Sequence, residues 1–164
     1  MEAEPVTAYL GLGSNLGERR ANLERALDFL SQRLRLQKVS SIYDSEPVGN
    51  IAQPRFLNLA CQAITTLSPP GLLALAKGIE AKMGRTGGSG EPRLIDIDIL
   101  FYGDQVIETP ELVIPHPRLT ERAFALVPLV EIAPEVVHPV NGKTVRGLLA
   151  ALKEVQGVFK WEGD

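Results

Sequence analysis

The chain has one cysteine, 5% aromatic residues and no apolar segment long enough to cross a membrane as a helix. Because Cys61 is alone, no disulfide can form within the chain, which is typical of proteins from reducing compartments. The first residues, MEAEPVTAYL, contain acids and a proline where a secretory signal needs cations and a long apolar run. We therefore expect a cytoplasmic protein that does not bind a membrane.

Excess positive charge is also absent, since the formal net charge is −3. This balance gives no general attraction to nucleic acid or anionic lipid, so a phosphate site needs local basic groups or metal ions. The chain lacks the G-x-x-x-x-G-K-[ST] motif of P-loop enzymes. Its GLGSNLG segment departs from the dinucleotide-binding fingerprint, because Leu16 occupies the position of the third glycine. We interpret Gly11, Gly13 and Gly17 as turn and packing residues.

Length and composition predict one domain, residues 1–164, with the 45% hydrophobic content of a globular protein. Apolar periodicity predicts strands at Val6–Leu12, Leu36–Tyr43, Phe56–Thr65 and Leu94–Tyr102, and helices around Leu23–Leu34, from Ser68, near Arg118–Leu126 and near Val145–Lys153. This order predicts an α+β fold, a ferredoxin-like two-layer sandwich with an antiparallel sheet, helices packed on it and a C-terminal extension. Without heptads or a long apolar patch, we expect a monomer.

Polar and helix-breaking residues mark the ends of the predicted elements. Ser14 or Asn15 is expected to cap the first helix, and Ser68, followed by two prolines, the second. Gly84 is expected to end that second helix. Two glycine- and proline-containing loops are predicted at 45–55 and 86–92.

The segment RLIDIDIL contains the most informative pattern in the sequence. Side chains alternate across a strand, so Asp96 and Asp98 share one face while the isoleucines face the core. Neighbouring carboxylates supply the hard oxygen ligands that suit Mg²⁺. A solvated acidic face explains the pair alone equally well. Arg85 and Arg93 flank the preceding loop and favour a phosphate site with metal, because phosphoryl transfer depends on positioning and charge neutralisation.

An aromatic and an amide side chain, Phe56 and Asn58, share a face of the third strand. Such a face suits a flat, hydrogen-bonding heterocycle, and Phe124 offers a second ring for stacking. The simpler interpretation, which the pattern alone favours, is that both rings belong to the core and Asn58 is an edge-strand amide in water. His116, between two prolines, is a candidate donor to phosphate, and Glu80 lies near the end of the second helix. A lone histidine is more often structural than catalytic, and Glu80 is also explained as a solvated helix residue.

Six segments stand in a characteristic order: GLGSNLGER, SSIYDSEPVG, PRFLNLA, PRLIDIDILFYG, LVIPHPRLTERAFALVPL and EIAPEVVHPVNGKTV. The most specific are PR-x-x-D-x-D-I-L and PHPR-x-x-x-R-x-F. Together they resemble the 6-hydroxymethyl-7,8-dihydropterin pyrophosphokinase family over nearly the whole chain. The resemblance implies a single pyrophosphokinase domain that transfers pyrophosphate from ATP to 6-hydroxymethyl-7,8-dihydropterin and releases AMP, in folate biosynthesis.

The resemblance also implies the roles of individual residues. Those assigned to catalysis are Arg93, Asp96 and Asp98, with the two aspartates binding two Mg²⁺ ions that bridge the ATP phosphates. The pterin would contact Ser45, Val48, Phe56, Asn58, Asp96 and Phe124, with the rings sandwiching it. ATP would contact Lys77, Glu80, Arg85, Arg93, Ile99, His116 and Arg122. The acceptor of the hydroxyl proton stays open between Asp98, a phosphate oxygen and metal-bound water.

Several positions depart from the family pattern. The loop TGGSGE at 86–91 has no positive charge, whereas family members often have several basic residues and a tryptophan there. Glu111 and Pro117 stand where some members have arginine and tyrosine, and Phe56 replaces a frequent tyrosine. We hypothesise that this loop closes more weakly over the triphosphate, which slows the chemical step.

Two other functions are compatible with the residues. Ferredoxin-like sandwiches also bind RNA or small effectors without chemistry, although acids at the centre of the sheet argue against RNA. A nucleotidyltransferase uses a similar Asp-x-Asp pair but releases pyrophosphate. The nucleotide product distinguishes these functions, since a pyrophosphokinase yields AMP and an ordinary kinase yields ADP.

Overall fold

The computed structural model describes residues 4–46, 54–84, 94–152 and 157–163. Its elements are, in chain order, β1 (Val6–Ser14), α1 (Arg19–Ser31), β2 (Arg35–Val39), β3 (Tyr43–Ser45), β4 (Phe56–Thr65), α2 (Pro69–Lys82), β5 (Asp96–Tyr102), β6 (Ile107–Glu108), β7 (Val113–Ile114), a 3₁₀ turn (Leu119–Glu121), α3 (Ala123–Ile132), α4 (Val145–Ala150) and β8 (Val158–Lys160). Within these ranges, no helix has both the length and the apolar character needed to span a bilayer.

The main sheet is antiparallel, and its strands lie in the order β5-β1-β4-β3-β8, with β2 also paired to β4. The long strands β1 and β4 occupy its centre, where both edges of each strand are hydrogen-bonded. Strands β6 and β7 form a separate pair. The predicted α+β class, with an antiparallel sheet and packed helices, is therefore confirmed.

Hydrophobic side chains pack on both faces of the sheet. One cluster joins the sheet to α1 and α2 through residues such as Leu23, Leu72 and Ile97. A second cluster joins Leu100, on the other face, to Leu126 of α3 and to α4. Alternation along the strands sends neighbouring residues to opposite clusters. The region after β7 thus adds helices to the face that α1 and α2 leave uncovered.

The glycine-rich segment near the start of the chain is mostly strand. The predicted tight turn at Gly11 and Gly13 is wrong, because β1 continues through both residues and pairs with β4 and β5. Gly17 does occupy a bend, with φ of +69°, which an L-residue with a side chain rarely adopts.

The predicted cap of α1 is also wrong. Glu18 precedes this helix and no side-chain hydrogen bond caps it. Ser14, the last residue of β1, instead accepts a hydrogen bond from Asn22 Nδ2 of α1 at 3.2 Å. The cap of α2 is confirmed, because Ser68 Oγ accepts from the Gly71 amide at 3.1 Å. Gly84, with φ of +90°, follows the end of that helix as predicted.

Other boundaries differ from the prediction. The segment Leu36–Tyr43 belongs to two strands, β2 and β3, and the helix expected near Arg118–Leu126 is a 3₁₀ turn followed by α3. The strands β6, β7 and β8 were not predicted. Most of both predicted loops, with Val48, Arg85 and Arg93, lies outside the described residues.

Candidate functional site

Three neighbouring strands place predicted polar residues side by side across the sheet. Gly13 of β1 lies opposite Asp96 of β5 on one side and opposite Asn58 of β4 on the other. Gly11 of β1 lies opposite Asp98 of β5. Directly opposed residues of an antiparallel pair project from the same face. The two carboxylates and the amide therefore share the face on which α3 packs.

Gly13 leaves open the space between the carboxylates and the amide. A Cβ atom there would lie 3.0 Å from Asn58 Oδ1 and 3.4 Å from Phe56 Cδ1. A side chain at this position would therefore require Asn58 to shift. Sequence reasoning missed this role, because the register that places Gly13 between Asp96 and Asn58 joins distant parts of the chain.

The amide of Asn58 has a fixed orientation. Its Nδ2 donates a hydrogen bond to Ser45 Oγ at 2.6 Å, and both residues are buried. The interpretation of Asn58 as an edge-strand amide in water is wrong, because β4 is an interior strand. Phe56, at the start of the same strand, is half-buried rather than part of the core. This region is uncharged and combines a ring with an oriented amide.

A cavity of about 330 Å³ lies beside the aspartates. Its walls contain all seven described residues that were predicted for ATP or metal: Lys77, Glu80, Asp96, Asp98, Ile99, His116 and Arg122. Glu111 and Pro117, two positions that depart from the family pattern, also line it. The fold thus brings together residues from α2, β5 and the segment that follows β7.

Two nitrogen-bearing side chains approach Asp98 from that later segment. His116 Nε2 lies 3.9 Å from Asp98 Oδ1, and Arg122 Nη1 lies 3.9 Å from Asp98 Oδ2. Both distances exceed a direct hydrogen bond. Each contact is therefore an electrostatic one, which leaves the N–H groups available to a further acceptor.

His116 is a neutral hydrogen-bond donor at pH 7. Burial, followed by the nearby Arg122 cation, lowers its pKa to about 4, although the Asp96 charge partly opposes this. Its Nδ1 accepts a hydrogen bond from the Arg118 amide at 3.2 Å. A neutral imidazole that accepts at Nδ1 has its proton on Nε2, so the N–H lies on the side of Asp98.

Arg122 connects the acidic part of the site to an aromatic ring. Its guanidinium carbon lies 5.4 Å from the centroid of Phe124, within range of a cation–π contact. Phe124 is half-buried near the start of α3, a helix that packs on β4. Both residues are thus held beside the sheet face that contains Asp98 and Asn58.

Glu80 holds the outer edge of β5. It is 5% exposed, and its Oε2 accepts a hydrogen bond from the Ile97 amide at 2.8 Å. Ile97 lies between the two aspartates, so this contact fixes the backbone from which both project. Glu80 is therefore not a solvated helix residue. Lys77, one turn earlier on α2, is exposed at the wall of the cavity.

The acidic groups of the site fit a cation that shares its ligands with a substrate. Among the described residues, no three His, Cys, Asp or Glu side chains converge as a metal cage. Asp96 and Asp98 offer two carboxylates on one strand face. Mg²⁺ typically binds one or two carboxylates together with waters and substrate phosphates, so this donor set suits it.

Comparisons with known proteins show which family the chain matches. A model of the family described as 7,8-dihydro-6-hydroxymethylpterin-pyrophosphokinase (HPPK) matches residues 9–134. Proteins named 2-amino-4-hydroxy-6-hydroxymethyldihydropteridine pyrophosphokinase are 43% identical over 142 residues in Aquifex aeolicus and 46% identical over 132 residues in Bacillus subtilis. The first alignment covers 86% of this chain and 89% of that protein, and the second covers 79% of each.

Solved structures share the fold. The wild-type Plasmodium falciparum HPPK-DHPS, determined with pteroate, superimposes with a TM-score of 0.74 at 19% identity. The match covers 92% of this chain and 45% of that one, so the chain spans about half the length of that protein.

Proposed function

The chain belongs to the 7,8-dihydro-6-hydroxymethylpterin-pyrophosphokinase family, and we propose that it transfers pyrophosphate from ATP to 6-hydroxymethyl-7,8-dihydropterin. The products are AMP and the pterin diphosphate, as required in folate biosynthesis. One observation carries the proposal: Asp96, Gly13 and Asn58 lie side by side on three strands. This row puts a carboxylate suited to a metal ion next to an amide suited to a hydrogen-bonding heterocycle, which supports the proposal.

The pterin is proposed to lie over Gly13, between the rings of Phe56 and Phe124. The Asn58 amide, oriented by Ser45, would pair with its hydrogen-bonding edge, together with backbone groups of Ser45 and Val48. A buried amide that already donates to Ser45 presents its oxygen in a fixed direction, which favours one orientation of a flat ligand. Val48 lies outside the described residues and is proposed from the family resemblance.

Asp96 and Asp98 are proposed to hold two Mg²⁺ ions against the ATP phosphates. Such ions, when bound, neutralise phosphate charge and polarise the phosphorus that is attacked. His116, which donates from Nε2, and the cationic Arg122 would bind phosphate oxygens beside Asp98. Glu80 accepts a hydrogen bond from the Ile97 amide and so fixes the strand backbone from which both aspartates project.

The rest of the ATP site follows the cavity wall. Lys77 is an exposed cation on this wall and would attract the nucleotide, and the Ile99 backbone on β5 would read adenine. Arg85 and Arg93 are proposed as further phosphate ligands from the family resemblance, since both lie outside the described residues.

The reaction joins the two parts of the site. The pterin hydroxyl oxygen forms a bond to the β-phosphorus of ATP, and the bond between that phosphorus and the α,β-bridging oxygen breaks. AMP leaves with the bridging oxygen, and the hydroxyl proton passes to Asp98, a phosphate oxygen or bound water. Positioning supplies most of the catalysis, because no covalent intermediate on the protein is required.

The test is the identity of the nucleotide product. With ATP, Mg²⁺ and the pterin alcohol, chromatography should show AMP and the pterin diphosphate. Asp96→Asn and Asp98→Asn should each lower AMP formation by about 100-fold or more, because either change removes a metal ligand. Asp104→Asn, at an exposed acid just after β5, is the matched control and should match the wild type.

Other products would support other functions. ADP would indicate an ordinary kinase, pyrophosphate a nucleotidyltransferase, and binding without turnover a binding module. Full activity in both aspartate variants would refute the assigned chemistry.

We further propose that residues 1–164 form one ferredoxin-like domain that acts as a monomer in the cytoplasm. The antiparallel order β5-β1-β4-β2, with α1 and α2 packed on the same face, supports the fold assignment.

Burial raises the pKa of the Cys61 thiol to about 12, so this cysteine stays protonated and unreactive.

A further inference from the structure

The position of Ser45 depends on a very short strand. Strand β3 has three residues, Tyr43–Ser45, and within the described part of the chain these three make its pairing with β4. On its other edge β3 pairs with β8, and Ser45 lies opposite Val158. Ser45 in turn orients the Asn58 amide at 2.6 Å. Because so short a pairing is weak alone, β8 contributes to the placement of Ser45.

One arginine ties these three strands together. Arg55, just before β4, donates from Nε to the Asp44 carboxylate of β3. Its Nη2 donates to the backbone oxygen of Gly157, just before β8, at 2.9 Å. A guanidinium forms two such bonds in a fixed geometry, so it holds β3, β4 and β8 in register.

Both ends of β8 have further backbone contacts with β3 and its flanks. The Glu46 amide donates to Gly157 O at 3.2 Å, and the Trp161 amide donates to Ile42 O at 2.8 Å. Gly157 has φ of +83°, and a Cβ there would lie 2.8 Å from Glu46 Cδ. The positive φ favours glycine at this position, and the backbone bond between Glu46 and Gly157 anchors the residue that follows Ser45 to the start of β8.

We propose that β8, together with Arg55, is a positioning element for the pterin alcohol, acting through Ser45 on the Asn58 amide. This role rests on the pterin site proposed above. Strand β8 lies outside the residues 9–134 that match the family model. It is separated from Asp96 and Asp98 by β3, β4 and β1, so loss of its pairing should affect the pterin far more than ATP.

Phe159→Pro in the full chain tests this role. Phe159 lies opposite Asp44 and is 64% exposed, so the change breaks strand pairing with little loss of core packing. Phe159→Thr is the matched control, because it removes the same ring but keeps the backbone N–H. Trp161, the only tryptophan, reports by its emission whether β8 leaves the sheet.

In Phe159→Pro we expect a red-shifted Trp161 emission and a pterin Kd and KM raised about tenfold, the effect of one hydrogen bond of ordinary strength. The pterin Kd is measured by calorimetry with Mg²⁺ and a non-hydrolysable ATP analogue. The KM for ATP should stay within about twofold of the wild type. Phe159→Thr should match the wild type in all four measurements.

A red-shifted Trp161 with unchanged pterin Kd would overturn the proposal. So would an equal rise in the KM for ATP, which would indicate general destabilisation. If Phe159→Pro does not fold, or leaves Trp161 in place, Arg55→Met decides, since it removes both hydrogen bonds of the side chain. Unchanged pterin affinity in that variant also overturns the proposal. A wild-type chain that releases no AMP would instead refute the proposed function.

Discussion

Replacing Gly13 by alanine adds one methyl group at the point where β1 passes between Asp96 and Asn58. The new carbon would lie 3.0 Å from Asn58 Oδ1, closer than ordinary van der Waals contact. Asn58 must shift by a few tenths of an ångström to relieve this contact. Its Nδ2 is already bonded to Ser45 Oγ at 2.6 Å, so the shift weakens a buried hydrogen bond and turns the amide away from the pterin.

The expected loss follows from the energetics of buried polar groups. If the amide turns away, the buried edge of the bound pterin lacks its partner, which costs about 1–3 kcal/mol and corresponds to a pterin affinity about 5- to 150-fold weaker. Stability should change little. Gly13 does not have a positive φ, so alanine fits its backbone and restricts the unfolded chain, a gain of about 0.4–1 kcal/mol that offsets part of the clash.

Steady-state AMP release at varied pterin and varied ATP measures the effect, with a thermal melt of each variant. The KM for the pterin alcohol should rise while the KM for ATP and the melting temperature stay near the wild type. Gly11→Ala is the control on the same strand face, because the nearest atoms to a Cβ there belong to the flexible Leu100 side chain, at an ordinary contact distance of 3.5 Å. An unchanged pterin KM in Gly13→Ala, or an equal rise in both KM values, would refute this reasoning.

Three further predictions concern His116, Glu80 and the loop at 86–91. His116→Leu removes the proposed phosphate donor and should lower kcat/KM for ATP about tenfold. Burial and Arg122 lower the pKa of His116 in the folded state to about 4, so the unfolded state binds more protons between pH 4 and 6.5. The free energy of unfolding of the wild type should therefore fall as the pH drops through this window. Urea titrations should show a smaller fall in His116→Leu. Glu80→Leu leaves the buried Ile97 amide unpaired and should lower the Tm by about 2–4 °C for each kcal/mol lost. Glu80→Gln can still accept the hydrogen bond from this amide, so its Tm should lie nearer that of the wild type. Ser89→Arg or Gly88→Arg adds the missing loop charge and should speed the single-turnover chemical step about tenfold; an unchanged rate would contradict the hypothesis of weak loop closure.

The acidic pair was predictable because alternation along a strand is a local property. Asp96 and Asp98 share the open face, and the intervening Ile97 is 6% exposed on the core side, as the pattern predicted. The cap of α2 was predictable for the same reason, since Ser68 and the prolines that follow it act within one helical turn. These features need no knowledge of what packs against them.

Features that depend on pairing between distant segments were not predictable. Gly13 was interpreted as a turn residue, because only pairing with both β4 and β5 shows that it lies within a strand. Asn58 was favoured as a solvated amide, because burial of β4 depends on β3 covering its edge. Helix α3 extends through Pro128, which lacks the amide for a helical hydrogen bond, because Leu126 and Leu129 pack into the core.

The charges of the two parts of the site match the two proposed substrates. Among the described side chains that line the cavity, two are cationic (Lys77 and Arg122), four are acidic (Glu80, Asp96, Asp98 and Glu111), and His116 is neutral at pH 7. A triphosphate cannot approach this acidic surface closely without added cations, and Asp96 and Asp98 stand where divalent ions would bridge protein and phosphate. On the other side of Gly13, Phe56, Asn58 and Ser45 bear no charge, which suits a neutral heterocycle. Since Gly13 separates the two parts by the width of a single strand, a hydroxymethyl group on a heterocycle at the proposed pterin site would reach a phosphate at the proposed ATP site without a covalent carrier on the protein.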